Sequence, residues 1–182
     1  MRCPKAGGAT RRYGAAMLSV YLRMFPVLLR ARLRAARAPT PVVSQVRQRV
    51  RLDQIDANVH MNQARYADAF ELGRAHWMVR SGAWAAWRAQ GINPVVANQR
   101  IEYRRELRPW QRYLIDTRPL GVEGRLLHLQ GHMLVGDRVH ARNDLRLIFV
   151  GPQGVLAPAE VEALCTPVLT EALTVEDWTV AA

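Results

Sequence analysis

Lysine is all but missing from this 182-residue chain, where Lys5 is the single lysine among 26 basic residues. The first explanation is Arg-rich codon usage, although arginine is also the better phosphate ligand, because its planar fork matches two oxygens at once. Cysteine is equally scarce. Cys3 and Cys165 stand near opposite ends with no C-x-x-C spacing, which excludes a zinc ribbon or a disulfide framework and makes a reducing compartment, the cytoplasm, the expectation. No apolar run reaches the ~20 residues of a membrane-spanning helix, and the run Phe25 to Leu29 is cut off by Arg30. Acidic residues are absent from one whole stretch: residues 1–52 hold 12 Lys and Arg and no Asp or Glu. Residues 53–182 hold 14 Arg against 15 acids, so the net charge of +11 belongs to the leader and the body is close to neutral. A neutral body excludes a basic nucleic-acid groove, and the leader lacks interleaved aromatics, so no nucleic-acid partner is expected.

What remains is an ordinary globular composition, 49% hydrophobic and 23% charged, with the length of one domain plus an appendage. In the leader, Leu18, Tyr21, Leu22, Phe25, Leu28, Leu29 and Leu33 recur at helical spacing while Arg23, Arg30, Arg34 and Arg37 fill other positions. That spacing predicts a basic amphipathic helix, kinked or restarted at Pro26. Three readings follow: a helix lying on anionic lipid as a peripheral membrane contact, an Arg-rich organellar presequence, or a helix docked on the domain with its arginines solvated. Met17 is an alternative start, with residues 1–16 as an upstream extension. Pro39 and Pro41 mark a linker, which divides the chain into a basic segment over 1–41 and a domain over 42–182.

In the body, Val46, Val50 and Leu52 alternate in part with arginines and predict a first strand. Gln63 to Arg80 carries the apolar spacing of a long buried helix, with Asn62 as its N-cap and Gly82 as its end. A Trp-rich turn over Ala83 to Ala89 follows. Val95 to Leu107, Tyr113 to Leu120, Arg125 to Val135 and Arg138 to Val150 then read as four antiparallel strands in a meander, with hairpin turns at Gly121 to Gly124 and at Gly136-Asp137. Pro158 to Leu164 reads as a short helix, and the acidic end has no assignment. One long helix must bury itself against one face of such a sheet, so the fold class is α+β, and the order and lengths agree with a hot-dog fold, an antiparallel sheet wrapped around one central helix.

The entrance to the long helix reads Asp56-Ala57-Asn58-Val59-His60-Met61-Asn62-Gln63-Ala64-Arg65-Tyr66. This resembles the D-x-x-G-H-V-N-N-A-R-Y motif of hot-dog acyl thioesterases of the hydroxybenzoyl-CoA thioesterase-like group. Asp56, His60, Asn62, Ala64, Arg65 and Tyr66 match in register, while Val59 replaces Gly, Met61 replaces Val and Gln63 replaces the second Asn. Members often carry D-x-D here, and Gln54 takes the place of the first Asp. Further on, Ile101 to Leu107 (IEYRREL) resembles the E-Y-R-R-E-C segment of plant acyl-carrier-protein thioesterases. That resemblance implies an active site of Asp56, Asn58, His60 and Glu106, with Leu107 where the family has Cys. Asn62, Tyr66, Arg104 and Arg105 are the expected substrate contacts.

The implied chemistry is hydrolysis of an acyl-CoA or acyl-ACP thioester in fatty acid metabolism, without metal or organic cofactor. The thiol leaves readily at a pKa of about 8.5, so the demand falls on the attack. Asp56 would serve as general base or nucleophile, with unpaired N–H groups at the helix start as oxyanion donors. In an extended loop the alternating spacing would put Asn58 and His60 on the side of Asp56. Each residue has a plainer reading alone: Asp and Asn as turn formers, His60 as a packed side chain, Glu106 as a solvated strand charge, Tyr66 and Trp77 as core. Joint occurrence favours the site. A hydratase is opposed by spacing, since D-x-N-P-x-H places His five residues after Asp. A noncatalytic acyl-CoA or acyl-carrier binding protein is the alternative. The resemblance also implies a homodimer, or a tetramer built from dimers.

Overall fold

The computed structural model describes residues 24–33 and 43–169. Met17, the linker over 38–41 and the acidic end lie outside the described residues. Helix α1 covers 24–33 and includes Pro26. It is followed by strand β1 (Ser44–Arg49), the long helix α2 (Gln63–Arg80), a short helix α3 (Ala83–Ala89) and strand β2 (Asn93–Tyr103). Strands β3 (Arg112–Glu123), β4 (Leu126–Val135), β5 (Arg138–Gly151) and β6 (Gly154–Val155) come next, then helix α4 (Pro158–Cys165).

Asn62 caps α2 as its position predicts, its side-chain oxygen accepting the Ala64 N–H at 3.0 Å. Gly82, at φ 71°, ends the helix in a conformation that a side chain disfavours. Between these limits Tyr66, Phe70, Gly73 and Trp77 form a buried stripe, widened by Ala69, Leu72 and Met78. The stripe meets the sheet very closely at Gly73. A Cβ there would lie 2.6 Å from Ile115 Cγ2 and 2.7 Å from Thr117 Oγ1, so the helix backbone rests directly on β3.

The strands pair antiparallel in the order β1-β3-β4-β5-β2, with β6 on β5. The expected four-strand meander is therefore corrected: only β3, β4 and β5 follow one another, while β2 crosses to the far edge and pairs with β5 from Asn93↔Val150 to Tyr103↔Ala141. Three boundaries also differ from the sequence pattern. The Trp-rich turn is a helix, α3, because Trp87 is buried and meets Phe149 edge-on at 4.9 Å. Strand β2 stops at Tyr103 rather than Leu107, and the β3–β4 hairpin turns at Gly124-Arg125, Gly121 lying inside β3 at a register shift.

Two apolar clusters fill the interior. One gathers Tyr66, Phe70, Leu107, Ile115 and Met133 near the start of α2. The other gathers Trp77, Trp87, Leu129, Phe149, Val161 and Cys165 near its end. Each fully buried large side chain contributes roughly 1.5–3 kcal/mol by leaving water. The sheet's outer face instead carries a polar ladder, with Arg142 bonded to Asp144 at 2.9 Å and Gln130 to the same carboxylate at 3.1 Å. His128 and His132 belong to this outer face, and burial lowers both imidazole pKa values. An antiparallel sheet around one central helix is the hot-dog fold, α+β as expected.

Helix α1 docks on this body through Met24, which joins the first cluster with Val46 and Tyr113. Arg30 and Arg32 are exposed, as expected of a docked amphipathic helix, but they share the outer side with apolar residues. Phe25, Leu29 and Leu33 are 66%, 46% and 57% exposed, one stripe at i, i+4 and i+8.

Candidate active site

The helix-entry motif is a closed turn, not the extended loop that its alternating spacing suggested. Ile55 bridges Met61, the Asp56 N–H donates to the His60 carbonyl at 3.0 Å, and the Val59 N–H donates to the Asp56 carbonyl at 3.1 Å. This folds His60 back toward Asp56, leaving His60 Nδ1 3.5 Å from Asp56 Oδ2. Asp56 Oδ1 accepts the backbone N–H of Asn58 at 2.9 Å, an Asx turn, while Asn58 itself sits exposed at the tip. Asp56 and His60 are thus brought together, and Asn58 reaches the carboxylate through its backbone.

The two departures from the family motif have physical consequences here. Val59 holds φ 61°, a left-handed conformation costly for a β-branched residue and free for glycine. Val59→Gly is therefore expected to stabilise the protein by about 1 kcal/mol, the relieved strain exceeding the added backbone entropy of glycine. Thermal unfolding would then shift up by roughly 2–4 °C for a chain of this size, and an unchanged or lower Tm would contradict the strain. Gln54 turns its side chain back so that Oε1 accepts the Arg51 N–H at 2.9 Å, while its carbonyl accepts the Asn62 N–H at 2.7 Å. Position 54 supports the turn and presents no second carboxylate.

A second loop, residues 104–111, is clasped to the first. The Met61 N–H donates to the Leu107 carbonyl at 2.8 Å, and the Leu107 N–H donates to the Tyr66 hydroxyl at 3.1 Å. Leu107 is fully buried, so the site of the plant-family cysteine is a core position. On the other side, the Arg104 and Arg105 N–H groups donate to the His140 carbonyl, and His140 Nδ1 donates to the Glu106 carbonyl at 3.0 Å. Trp110 in this loop is, with Val59, the other non-glycine at positive φ among the described residues, at 65°. Backbone strain of this kind clusters at functional sites.

Tyr66 links the two loops electrostatically as well. Burial raises its pKa, the Leu107 bond opposes that, and the charges of Tyr103, Glu106 and Asp56 raise it further. Both candidate carboxylates therefore lie within electrostatic reach of one hydroxyl. Glu106 makes no hydrogen bond or ion pair with Asp56, Asn58 or His60 among the described residues; its carboxylate pairs with Arg108 at 2.6 Å. Arg104 turns away to Glu102 at 3.2 Å. Tyr66 is core, packed edge-on against Tyr103 at 5.1 Å, and Asn62 is occupied as the helix cap.

The supply of oxyanion donors is narrower than a bare helix start offers. Ala64 N–H is taken by the Asn62 side chain and Arg65 N–H by the Asn62 carbonyl at 2.9 Å. Among the described residues this leaves the Gln63 N–H as the unpaired first-turn amide, at the positive end of the helix dipole. Cys165 is no substitute nucleophile, since burial pushes its thiol up to about 12. No group of three or more His, Cys, Asp or Glu is placed to hold a metal ion among the described residues.

The sequence model of the thioesterase-like superfamily matches residues 50–173. Protein THEM6 of Xenopus laevis is 33% identical over 76 residues, 42% of this chain and 37% of that protein. The L-carnitine dehydrogenase/betainyl-CoA thioesterase of Ruegeria pomeroyi is 31% identical over 101 residues, 56% of this chain and 21% of that protein. The chain thus spans well under half the length of either relative. Among solved structures, the YbaW probable thioesterase of Escherichia coli superposes with a TM-score of 0.64 at 23% identity, over 69% of this chain and 98% of that one. The BH1999 gentisyl-coenzyme A thioesterase superposes at 0.56 and 15% identity, over 62% and 94%. These superpositions establish the fold. By the match over more than half its length, covering both the clasped loops and the helix between the sheet edges, the chain belongs to the thioesterase-like superfamily.

Proposed function

We propose that the protein is a thioester hydrolase acting on an acyl-CoA or acyl-ACP, and that Asp56 is the general base or the nucleophile. The observation that carries this reading is the Asp56–His60 pair, 3.5 Å apart at the entrance to α2. As base, Asp56 takes a proton from water as the oxygen attacks the thioester carbon; as nucleophile, it attacks directly and water then cleaves the mixed anhydride. Either way the negative oxygen meets the Gln63 N–H, and collapse expels the thiolate, which needs little protonation at a thiol pKa of about 8.5. His60, turned onto the carboxylate, holds its orientation. Relatives named for betainyl-CoA and gentisyl-CoA support a CoA thioester, as does a structural neighbour solved with CoA. Thiol release from short, medium and long acyl-CoAs tests the reading, and binding without release from any of them would assign the chain to acyl-CoA capture instead.

Two further parts concern partners. Strand β2 is exposed along nearly its whole length, and its outer edge pairs with no described strand. A second copy of the chain would cover it, giving a homodimer or a tetramer of dimers. The exposed Phe25, Leu29 and Leu33 stripe, set in a leader with 12 bases and no acid up to residue 52, suits peripheral contact with anionic lipid at a membrane facing the cytoplasm. Sedimentation checks both: a dimer or larger species is expected alone, and pelleting with anionic but not neutral vesicles. A monomer at micromolar concentration removes the first part, and equal recovery from both vesicle types removes the second.

A further inference from the structure

Val59 and Trp110, the two non-glycine residues at positive φ among the described residues, occupy positions that glycine or asparagine would fill at little cost. Both are instead large and apolar, and they are 67% and 51% exposed. Side chains that strain their own backbone and bury little within the fold point to a contact outside it. A third apolar residue, Leu52, is 63% exposed nearby. The segments that carry the three are tied backbone to backbone. The Trp110 N–H donates to the Val50 carbonyl at 3.0 Å, Ile55 bridges Met61, and the Met61 N–H donates to the Leu107 carbonyl at 2.8 Å. Leu52, Val59 and Trp110 therefore cluster at the entrance to α2, beside the Asp56 turn.

The charges around the cluster select its occupant. Arg47, Arg49 and Arg51 are exposed along the strand and turn that lead to Leu52, and the neighbouring acid, Asp53, is held by Arg51 at 3.1 Å. Arg49 lies over the Trp110 ring, 5.3 Å from its centroid, and donates to the Trp110 carbonyl at 2.8 Å. A tryptophan with a guanidinium on its face has an apolar body and a cationic side, which suits the boundary between lipid headgroups and acyl chains. Helix α1 reaches the same region, where a recess of about 290 Å³ is lined by Met24 and Pro26 together with Arg49, Arg51 and Gln54. We propose that Leu52, Val59 and Trp110 insert into anionic lipid, so that the membrane meets the protein beside the Asp56 turn. This rests on the peripheral lipid contact proposed for α1 and extends it from the leader to the body. A second copy of the chain is the poorer occupant, because a two-fold contact through this patch would set the same arginines against each other.

The test uses the full chain and vesicles of equal parts phosphatidylglycerol and phosphatidylcholine, the latter brominated on its acyl chains so that it quenches tryptophan entering the hydrocarbon. Vesicle affinity, read by pelleting, is expected to fall about tenfold in Trp110→Asn and to a smaller extent in Leu52→Asn and Val59→Asn. Asparagine tolerates the left-handed backbone at 59 and 110, so these variants lose the apolar contact and keep the fold, which thermal unfolding verifies. Brominated lipid is expected to quench a component of wild-type fluorescence that is missing from Trp110→Asn, since Trp77 and Trp87 are buried. Undiminished pelleting in all three variants, or undiminished quenching in Trp110→Asn, would overturn the insertion and leave the α1 contact standing. Wild-type protein that does not pellet would remove both. Variants that lose self-association but pellet as the wild type does would assign the cluster to a second copy instead.

Discussion

Asp56→Asn is expected to lower kcat for the preferred acyl-CoA by at least about a hundredfold, the lower bound for losing a positioned general base. KM should change little, because in the proposed mechanism the substituted oxygen would act on the attacking water or the carbonyl carbon and not on the bound carrier. The amide keeps an oxygen for the Asn58 N–H, which the carboxylate accepts at 2.9 Å, so the Asx turn survives. Asp56→Ala removes that bond as well and is expected to cost about a further 1 kcal/mol of stability. The pair of variants separates chemistry from folding: similar losses of rate with different losses of Tm identify the carboxylate as the reacting group. A folded Asp56→Asn protein that turns over within a few-fold of the wild type would remove Asp56 from the mechanism.

The second large effect is expected at Gly73, where no catalytic group stands. Gly73→Val should destabilise the protein by about 3 kcal/mol, the upper part of the range for overfilling a packed site, and lower Tm by roughly 6–12 °C. The atoms in the way, Ile115 Cγ2 and Thr117 Oγ1, belong to β-branched side chains on β3 and have few rotamers to retreat into. The helix must lift instead. Gly73→Ala gains about 1 kcal/mol of helix propensity that offsets part of its smaller clash, so it should fall between wild type and Val. Because α2 carries Asn62 and the Gln63 amide at its start, kcat should fall in step with the displacement. A Val variant with wild-type Tm would mean that the close approach is not there.

The sequence pattern located the long helix, its cap at Asn62, the α4 helix after Pro158 and the Gly136-Asp137 turn, because each depends on neighbours in the chain. It misread the partner of β2, since a strand's own alternation says nothing about which edge it joins. Trp84 and Trp87 looked like loop residues because a seven-residue helix is too short to display a period. In the candidate site, Asp56 and His60 are legible by spacing, but the reason they meet is the closed turn, whose backbone bonds have no signature in residue identity.

The clasp between the two loops bears on how the site moves. Local opening of a protein proceeds in cooperative units whose hydrogen bonds break together. Met61 bonded to Leu107, and Leu107 to Tyr66, place the Asp56 turn and the Glu106 loop in one such unit. The Asp56 turn and the 104–111 loop are therefore expected to open together, as one unit, and amide exchange at Met61 and Leu107 to proceed at a common rate.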